Sequence, residues 1–123
     1  MSGRRDDSLL LGDMLDAAER LIELASGVPD GWLGQDQDTN EKMLWNLVVL
    51  GEAVKRMRPL TRQRFSDVPW KLIADTRDWV IDHYDGVDWQ VVTLIVTREL
   101  PRLLPRLREI RDIVRAEFDA GGA

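Results

Sequence analysis

The sequence predicts an all-α fold, an antiparallel up-down bundle of four helices. Apolar residues recur at helical spacing in four long segments, and no segment shows the alternation typical of a β-strand. Short loops between consecutive helices make neighbouring helices antiparallel. A chain of 123 residues is long enough for one domain with its own core. We assign this domain to residues 4–118 and expect frayed ends at 1–3 and 119–123.

The first helix is predicted to run from Asp7 or Ser8 to Ser26. Its buried face is a stripe of apolar residues spaced three and four apart: Leu11, Met14, Leu15, Ala18, Leu21, Ile22 and Ala25. Gly27 and Pro29 follow directly, and both are unfavourable in a helix interior. The helix is therefore expected to stop there.

The second helix is predicted to begin near Thr39 or Asn40, either of which can cap it, and to end at Pro59. Gly51 lies in the middle of this helix, where glycine costs about 1 kcal/mol relative to alanine. Close approach of another backbone would offset that cost. A short helical turn is expected over Leu60–Phe65.

The third helix is predicted to run from near Pro69, a favourable first-turn residue, to about Tyr84, with Asp67 as its cap. Asp85-Gly86 is a turn signal, after which Asp88 is expected to cap the fourth helix.

The fourth helix contains two prolines, Pro101 and Pro105. Proline removes a helical hydrogen-bond donor, and its ring crowds the preceding turn. We therefore expect either a kink in this helix near Leu100 and Pro101 or two abutting helices.

Composition excludes several kinds of site. The chain has no cysteine, so disulfides and thiolate sites are ruled out, and a single histidine does not make a His/Cys zinc site.

No apolar run approaches the roughly 18 residues of a membrane span. No signal peptide is recognised, so a cytoplasmic location without membrane contact is expected. No Gly-rich phosphate loop precedes a helix, and no cofactor is predicted.

Charge is unevenly distributed along the chain. The formal net charge of -5 argues against nucleic-acid binding, yet positions 55 to 64 are basic and contain no acid. The candidate contacts to RNA phosphates are Lys55, Arg56, Arg58, Arg62 and Arg64. A solvated helix face that favours solubility is the alternative interpretation of this basic stretch.

The segment Arg77–Tyr84 is the most promising for chemistry, because it holds the only histidine and the only tyrosine. At about 100° per residue, Arg77 and Tyr84 project from nearly the same side of a helix, with Asp82 and His83 on either edge. An arginine can stabilise the charged transition state of phosphoryl transfer, and an imidazole can move a proton near neutral pH. The alternative is that a histidine beside a tyrosine only packs a helix end.

Asp75, Asp78 and Asp82 recur at positions i, i+3 and i+7, so they share one helix face. Clustered carboxylates can bind Mg²⁺, which leaves open a metal-dependent phosphodiesterase. An exposed acidic stripe without metal is the alternative meaning of the same spacing.

Four segments stand in a characteristic order: RDDSLLLGDMLDAAERL, NLVVLGEAVKRM, DVPWKLIADTRDWVIDHYDGVD and LPRLLPRLREI. Together, from about Arg5 to Ile110, they resemble the HepT-like family of the HEPN superfamily of helical ribonucleases. The resemblance implies a homodimeric, metal-independent endoribonuclease, the toxin of a bacterial toxin–antitoxin pair, whose active cleft lies at the dimer interface. It also implies a minimal nucleotidyltransferase antitoxin as partner, which attaches AMP to a tyrosine and silences the toxin.

The motif of that family is an Arg, four residues, a His, one residue and a Tyr. The resemblance implies that Arg77 is the catalytic Arg, Tyr84 the AMP acceptor and Asp78 the polar residue after the Arg. The motif His falls on Asp82, and His83 is one position late, which rotates a helical side chain by about 100°. The wider superfamily allows four to six residues between Arg and His, and this looser pattern includes His83.

Two interpretations follow. Local unwinding before Gly86 would bring His83 into the cleft, with Asp82 holding its other ring nitrogen. Alternatively, Asp82 takes the place of the motif His, and an ionised Asp is a weak base that repels phosphate. The first favours a ribonuclease that cleaves RNA by 2′-hydroxyl attack. The second favours a catalytically weakened dimer that binds the nucleotidyltransferase or a nucleotide.

Aromatic residues offer a further contact to RNA. The tryptophans that could stack on bases, or could instead anchor the core or a dimer interface, are Trp45, Trp70, Trp79 and Trp89.

Overall fold

The computed structural model describes residues 6–29, 31 and 33–121, and every regular element within these ranges is helical. The helices are α1 (Asp7–Ser26), α2 (Gln37–Arg56), α3 (Pro59–Arg64), α4 (Trp70–Asp82), α5 (Trp89–Leu94) and α6 (Leu100–Ala120). A 3₁₀ turn (Tyr84–Gly86) follows α4, and a π-helical turn (Ile95–Glu99) joins α5 to α6. The predicted all-α helical bundle is confirmed.

The long helices pack around one core. Helix α1 packs against both α2 and α6, and α4 packs against α2. Helices α1 and α6 are antiparallel, because Arg115 late in α6 bonds Ser8 at the start of α1 while Arg108 pairs with Glu19. The fully buried side chains of the core include Leu11, Leu15, Leu21, Met43, Leu47, Val80, Leu107 and Ile110.

Aspartate caps begin three of the helices. Asp6 accepts a hydrogen bond from the Ser8 N–H at 3.0 Å, so α1 starts where it was predicted. Asp36 accepts from the N–H and the hydroxyl of Thr39 at 2.9 and 2.8 Å. Helix α2 therefore begins at Gln37, ahead of the predicted start. The Asp88 cap predicted for the helix that begins with α5 is confirmed.

Helix α4 begins at Trp70, and Asp67 is not its cap. The Asp67 carboxylate instead accepts hydrogen bonds from Arg106 at 2.8 and 3.1 Å, which ties the loop before α4 to α6. The predicted cap was wrong because this distant guanidinium takes both carboxylate oxygens. Trp70 anchors the helix start, since its indole N–H donates to the Phe65 carbonyl at 2.9 Å.

The hydrogen-bond pattern of the last long helix changes just before Pro101. The Leu100 N–H donates to the Ile95 carbonyl, one residue further back than in an α-helix. This wider turn makes room for a proline ring that would otherwise meet the carbonyl of Thr97. Pro105 then lies inside α6. The kink expected here stays a prediction.

The two ends of the chain are described to different extents. Helix α6 runs to Ala120, so Asp119 and Ala120, which were expected to fray, are helical. The frayed ends predicted at 1–3 and at 122–123 lie outside the described residues. In the ranges described, no helix combines the length and the apolar character that crossing a membrane requires.

Candidate active site

The contact between α2 and α4 is tightest at the buried Gly51. A Cβ at this position would lie 2.4 Å from the Arg77 Cβ, and 3.0 Å from both the Arg77 nitrogen and the Ile73 carbonyl oxygen. Only glycine lets the two helices come this close, which confirms the reason predicted for a glycine in mid-helix. The side chain of Arg77 therefore starts directly against the backbone of α2.

The Arg77 guanidinium meets two carboxylates. Its Nη1 donates to Asp78 Oδ1 at 2.9 Å, and its Nε lies 3.2 Å from Glu52 Oε1. The Nε atom is buried and its N–H is not aligned for a hydrogen bond, so Glu52 contributes as an ion pair only. No group among the described residues bonds Nη2. The outer edge of the guanidinium is thus available to an anion.

Asp78 links α4 to α2 through Lys55. The Lys55 Nζ donates to both carboxylate oxygens of Asp78, at 2.7 and 2.9 Å. Hydrogen bonds from Lys55 and then from Arg77 lower the pKa of the Asp78 carboxyl, and the bond to Asp78 raises the pKa of Arg77. We call these four residues, Lys55, Asp78, Arg77 and Glu52, the Arg77 network. It alternates cation and anion, so its formal charges cancel.

His83 lies just beyond the end of α4, with φ -120° and ψ 26°. Its backbone N–H donates to the Trp79 carbonyl at 3.1 Å, and its Nδ1 lies 3.0 Å from the same oxygen. Because a carbonyl oxygen only accepts, this contact places a hydrogen on Nδ1, and Nε2 of the neutral ring is then unprotonated. The unwinding predicted before Gly86 is present, but the Trp79 carbonyl, and not Asp82, holds the ring.

Asp82 and Tyr84 are both exposed at this end of α4. Asp82 has no cationic partner among the described residues. The Tyr84 side chain is 55 % exposed. It lines a cavity of about 340 Å³ together with Gln37, Asn40, Glu41, Leu44, Asp85, Val87 and Trp89. The side chain of Tyr84 is therefore accessible to a reagent from solvent.

Arg77 and His83 do not touch. They are six residues apart, so they are separated by about 9 Å along the helix axis. A substrate that met both groups would lie along the exposed end of α4, with a phosphate at the Arg77 edge. Within one chain the arrangement can bind an anion at one point and accept a proton at another.

Comparison with known proteins identifies the family of the chain. The profile of the family described as "Ribonuclease HepT-like" matches residues 14–110. The chain belongs to this family.

Several relatives of this HepT-like chain are named as ribonucleases. A candidate RNase of Caldanaerobacter subterraneus subsp. tengcongensis is 33 % identical over 100 residues, covering 81 % of this chain and 89 % of the relative. A candidate RNase of Methanocaldococcus jannaschii is 27 % identical over 114 residues, covering 93 % and 94 %. The "Probable ribonuclease HepT" of Thermococcus cleftensis is 26 % identical over 108 residues, covering 88 % and 98 %. No solved structure matches the chain. The family and these names support a ribonuclease.

The basic stretch of this HepT-like chain is largely paired within the protein. Among the described residues, Lys55 meets Asp78, Arg58 meets Asp7, and Arg64 meets Glu117. Arg56 is exposed and Arg62 is half-buried. RNA phosphates would have to compete with those carboxylates, and the RNA-binding role of the stretch stays a prediction.

Asp75, Asp78 and Asp82 do not surround a common point. Asp75 pairs with Lys71 at 2.7 Å, whereas Asp78 belongs to the Arg77 network. Throughout the part of the chain that the structure describes, no group of three or more His, Cys, Asp or Glu side chains could hold a metal ion. Two of the three carboxylates in the stripe thus bind cationic side chains.

The four candidate tryptophans differ in burial. Trp70 belongs to the core, and Trp79 and Trp89 are half-buried. Trp45 is 66 % exposed on α2. Base stacking or an interface role is best supported for Trp45, because its ring is the most accessible of the four.

Glu52 is the residue of the site that the sequence reasoning missed. It follows Gly51 and stands three residues before Lys55, so one turn of α2 carries the close-contact glycine, an acid and a base. That spacing was a usable signal. The helix that meets this turn, and therefore the arginine that Glu52 pairs with, could not be read from α2 alone.

Proposed function

We propose that this HepT-like chain is a metal-independent endoribonuclease, the toxin of a bacterial toxin–antitoxin pair, and that it acts as a homodimer. The observation that carries the proposal is that one helix end presents both an arginine whose guanidinium has a free outer edge and a histidine whose ring is exposed. Arg77 offers hydrogens on Nη1 and Nη2, and His83 offers Nε2. These are the two groups that cleavage of an RNA phosphodiester requires.

The reaction is an internal transfer. The ribose 2′-oxygen attacks the adjacent phosphorus while its proton passes to Nε2 of His83. The bond from phosphorus to the 5′-oxygen breaks, and that oxygen leaves with a proton from water, which gives a 2′,3′-cyclic phosphate and a 5′-hydroxyl. The hydroxide left from that water takes the proton from His83, which restores the neutral ring. Arg77 stabilises the additional negative charge on the pentacoordinate phosphorus. A homodimer would place the helix ends of two copies around one strand of RNA.

AMP transfer to Tyr84 is the proposed means of silencing. A minimal nucleotidyltransferase partner would join the phenol oxygen of Tyr84 to the α-phosphorus of ATP and release pyrophosphate. The exposure of this side chain supports the proposal, since the hydroxyl has to reach a second active site. The attached nucleotide would bring a phosphate charge and a bulky group beside His83, where the RNA has to lie.

A catalytically weakened dimer is the second candidate. It is favoured by Asp82, which stands where the family motif has a His. It is also favoured by the two carboxylates that already neutralise part of the Arg77 charge. Such a protein would bind the nucleotidyltransferase, or a nucleotide, without cutting RNA.

The test is RNA cleavage by the purified chain with EDTA present. We expect single-stranded RNA to be cut into fragments that end in a cyclic phosphate, and Arg77→Ala to abolish the cutting. Intact RNA under these conditions, with a well-folded dimer, would overturn the ribonuclease proposal. AMP incorporation at Tyr84 by an added nucleotidyltransferase, without cleavage, would then identify the weakened dimer. Cleavage that returned only with Mg²⁺ would support the metal-dependent phosphodiesterase instead.

A further inference from the structure

We propose that Glu52 is a positioning residue for Arg77, and that Lys55 supports the same arginine through Asp78. The inference rests on the proposed ribonuclease function and names residues of α2 that act behind the helix carrying the motif. The geometry that points to it is the division of the Arg77 guanidinium into an inner edge and an outer edge.

The inner edge is fixed by sterics and charge. The Arg77 Cβ lies against the backbone of α2 at Gly51, so its side chain starts beside the next residue of α2, Glu52. Glu52 Oε1 stands 3.2 Å from the buried Nε, the nitrogen that joins the guanidinium to the rest of the side chain. A phosphate that binds at the outer edge does not have to displace a carboxylate in that position. Glu52 therefore orients the guanidinium without competing with the substrate.

The flank of the guanidinium is held by Asp78, which takes one hydrogen of Nη1. One hydrogen of Nη1 and both hydrogens of Nη2 remain without a partner among the described residues, so the guanidinium still has donors for the oxygens of a phosphate. Lys55 and Arg77 share the oxygen Oδ1 of Asp78. Because the ammonium of Lys55 offsets the Asp78 charge, the carboxylate can hold Arg77 without leaving a net negative charge that repels RNA.

Stability alone does not account for the network. The side chains of Lys55, Asp78, Arg77 and Glu52 are 36 %, 46 %, 34 % and 45 % exposed. Ion pairs this open to solvent contribute little to folding, because water and salt screen them. Holding one guanidinium in a fixed orientation is a role that such pairs can serve while they remain accessible to substrate.

The experiment compares Glu52→Gln with Glu19→Gln. Glu19 pairs with Arg108 across α1 and α6 and is similarly exposed, so it controls for loss of an interhelical surface ion pair. We expect Glu52→Gln to lower kcat for RNA cleavage by about 10-fold or more while KM changes less than about 2-fold, because a misoriented group costs rate rather than binding. Glu19→Gln should leave both unchanged. A lower KM with kcat preserved would overturn the proposal, since Glu52 would then be a competitor of the phosphate.

A second readout does not depend on cleavage. The ¹H–¹⁵N NOE of the Arg77 Nε–H, assigned by its absence in Arg77→Lys, reports whether the guanidinium is held. We expect the NOE to fall in Glu52→Gln and to persist in Glu19→Gln. An unchanged NOE in Glu52→Gln would overturn the positioning role, even if the wild-type chain cuts RNA. A wild-type chain that does not cut RNA, but whose Arg77 NOE falls in Glu52→Gln, would overturn the proposed function and support the positioning role.

Discussion

Arg77 and Arg106 have the same exposure but different hydrogen-bond partners. Their side chains are 34 % and 35 % exposed, and each faces two carboxylates. At Arg106, Nε and Nη2 bond Asp67 and Nη1 bonds Glu109, so every nitrogen is engaged. At Arg77, Nη2 has no partner among the described residues, and Nε meets Glu52 only as an ion pair.

The difference lies in how many donors each arginine has left. Arg106 also lies 5.5 Å over the ring of Phe65, and it ties the loop before α4 to α6 through Asp67. It is a structural arginine in which every nitrogen has a partner and three of the five N–H hydrogens are engaged, against one at Arg77. Hydrogen bonds to carboxylates raise the pKa of both arginines, so charge does not separate them. Counting free donors separates an arginine that binds its own protein from one that can bind a substrate.

The largest expected effect on RNA cleavage comes from removing each guanidinium in turn, which tests this comparison directly. We expect Arg77→Ala to lower RNA cleavage by about 100-fold or more, because it removes the charge that stabilises the transition state. Arg106→Ala should keep the specific activity and lower Tm by about 2–5 °C. Cleavage rates and thermal unfolding of both variants check this. Equal losses of activity that follow equal losses of folded protein would show that the free edge has no catalytic meaning.

The second test identifies the residue that accepts the proton of the 2′-hydroxyl while Arg77 binds the phosphate. We expect His83→Gln to lower cleavage by about 100-fold, because glutamine cannot take the proton of the 2′-hydroxyl. Asp82→Asn should change the rate by less than about 3-fold, since the Asp82 carboxylate does not hold the His83 ring. The rates of both variants at neutral pH decide between the residues. A larger loss in Asp82→Asn would assign the proton to Asp82 and reverse the interpretation of the helix end.

The third test concerns the backbone contact that positions Arg77. Gly51→Ala places a methyl group 2.4 Å from the Arg77 Cβ, and we expect it to lower the free energy of unfolding by about 1–3 kcal/mol. The matched control is Gly12→Ala in α1, where no atom lies within 4 Å of the added Cβ. Helix propensity should then raise the free energy of unfolding by about 0.5–1 kcal/mol. Denaturant unfolding of both variants measures the two signs. A stabilising Gly51→Ala would mean that α2 and α4 separate easily.

Local signals were sufficient to predict much of the fold. The apolar stripe that begins at Leu11 and the cap at Asp88 both depend on neighbours within a few residues, and both are confirmed. Asp67 was predicted to cap a helix on equally good local grounds, yet its carboxylate binds Arg106, 39 residues away. A single sequence does not reveal such a competitor, because it becomes a neighbour only when the helices pack.

The candidate site could be predicted only in part for the same reason. Arg77, His83 and Tyr84 lie close together in the sequence, and the chain places them along one helix end. Glu52 comes from another helix and was missed. One of the two interpretations had Asp82 hold a ring nitrogen of His83, but the Trp79 carbonyl, one turn earlier, lies 3.0 Å from Nδ1. Which backbone carbonyl lies beside the ring depends on where the helix ends, and the end of α4 was predicted two residues too late.

The smallest effect expected is the pH dependence of the carboxylates that hold the two arginines. The bond from Arg106 lowers the pKa of Asp67 from its ordinary value of 3.8, and the bonds from Lys55 and Arg77 lower that of Asp78. A carboxyl with a lower pKa in the folded state adds stability that is complete above the ordinary value. That stability disappears as pH falls through the folded value. The Tm gap between wild type and Asp67→Asn should therefore be constant, at less than about 3 °C, from about pH 5 to 8. It should close below pH 3.8.

Asp78→Asn should show the same pH window in Tm as Asp67→Asn. Unlike Asp67→Asn, it should also slow cleavage at about pH 7, where the carboxylate is ionised. Thermal unfolding from acid to neutral pH and cleavage rates at neutral pH provide both measurements. If Asp67→Asn slowed cleavage as much as Asp78→Asn, the count of free donors would not distinguish the two arginines.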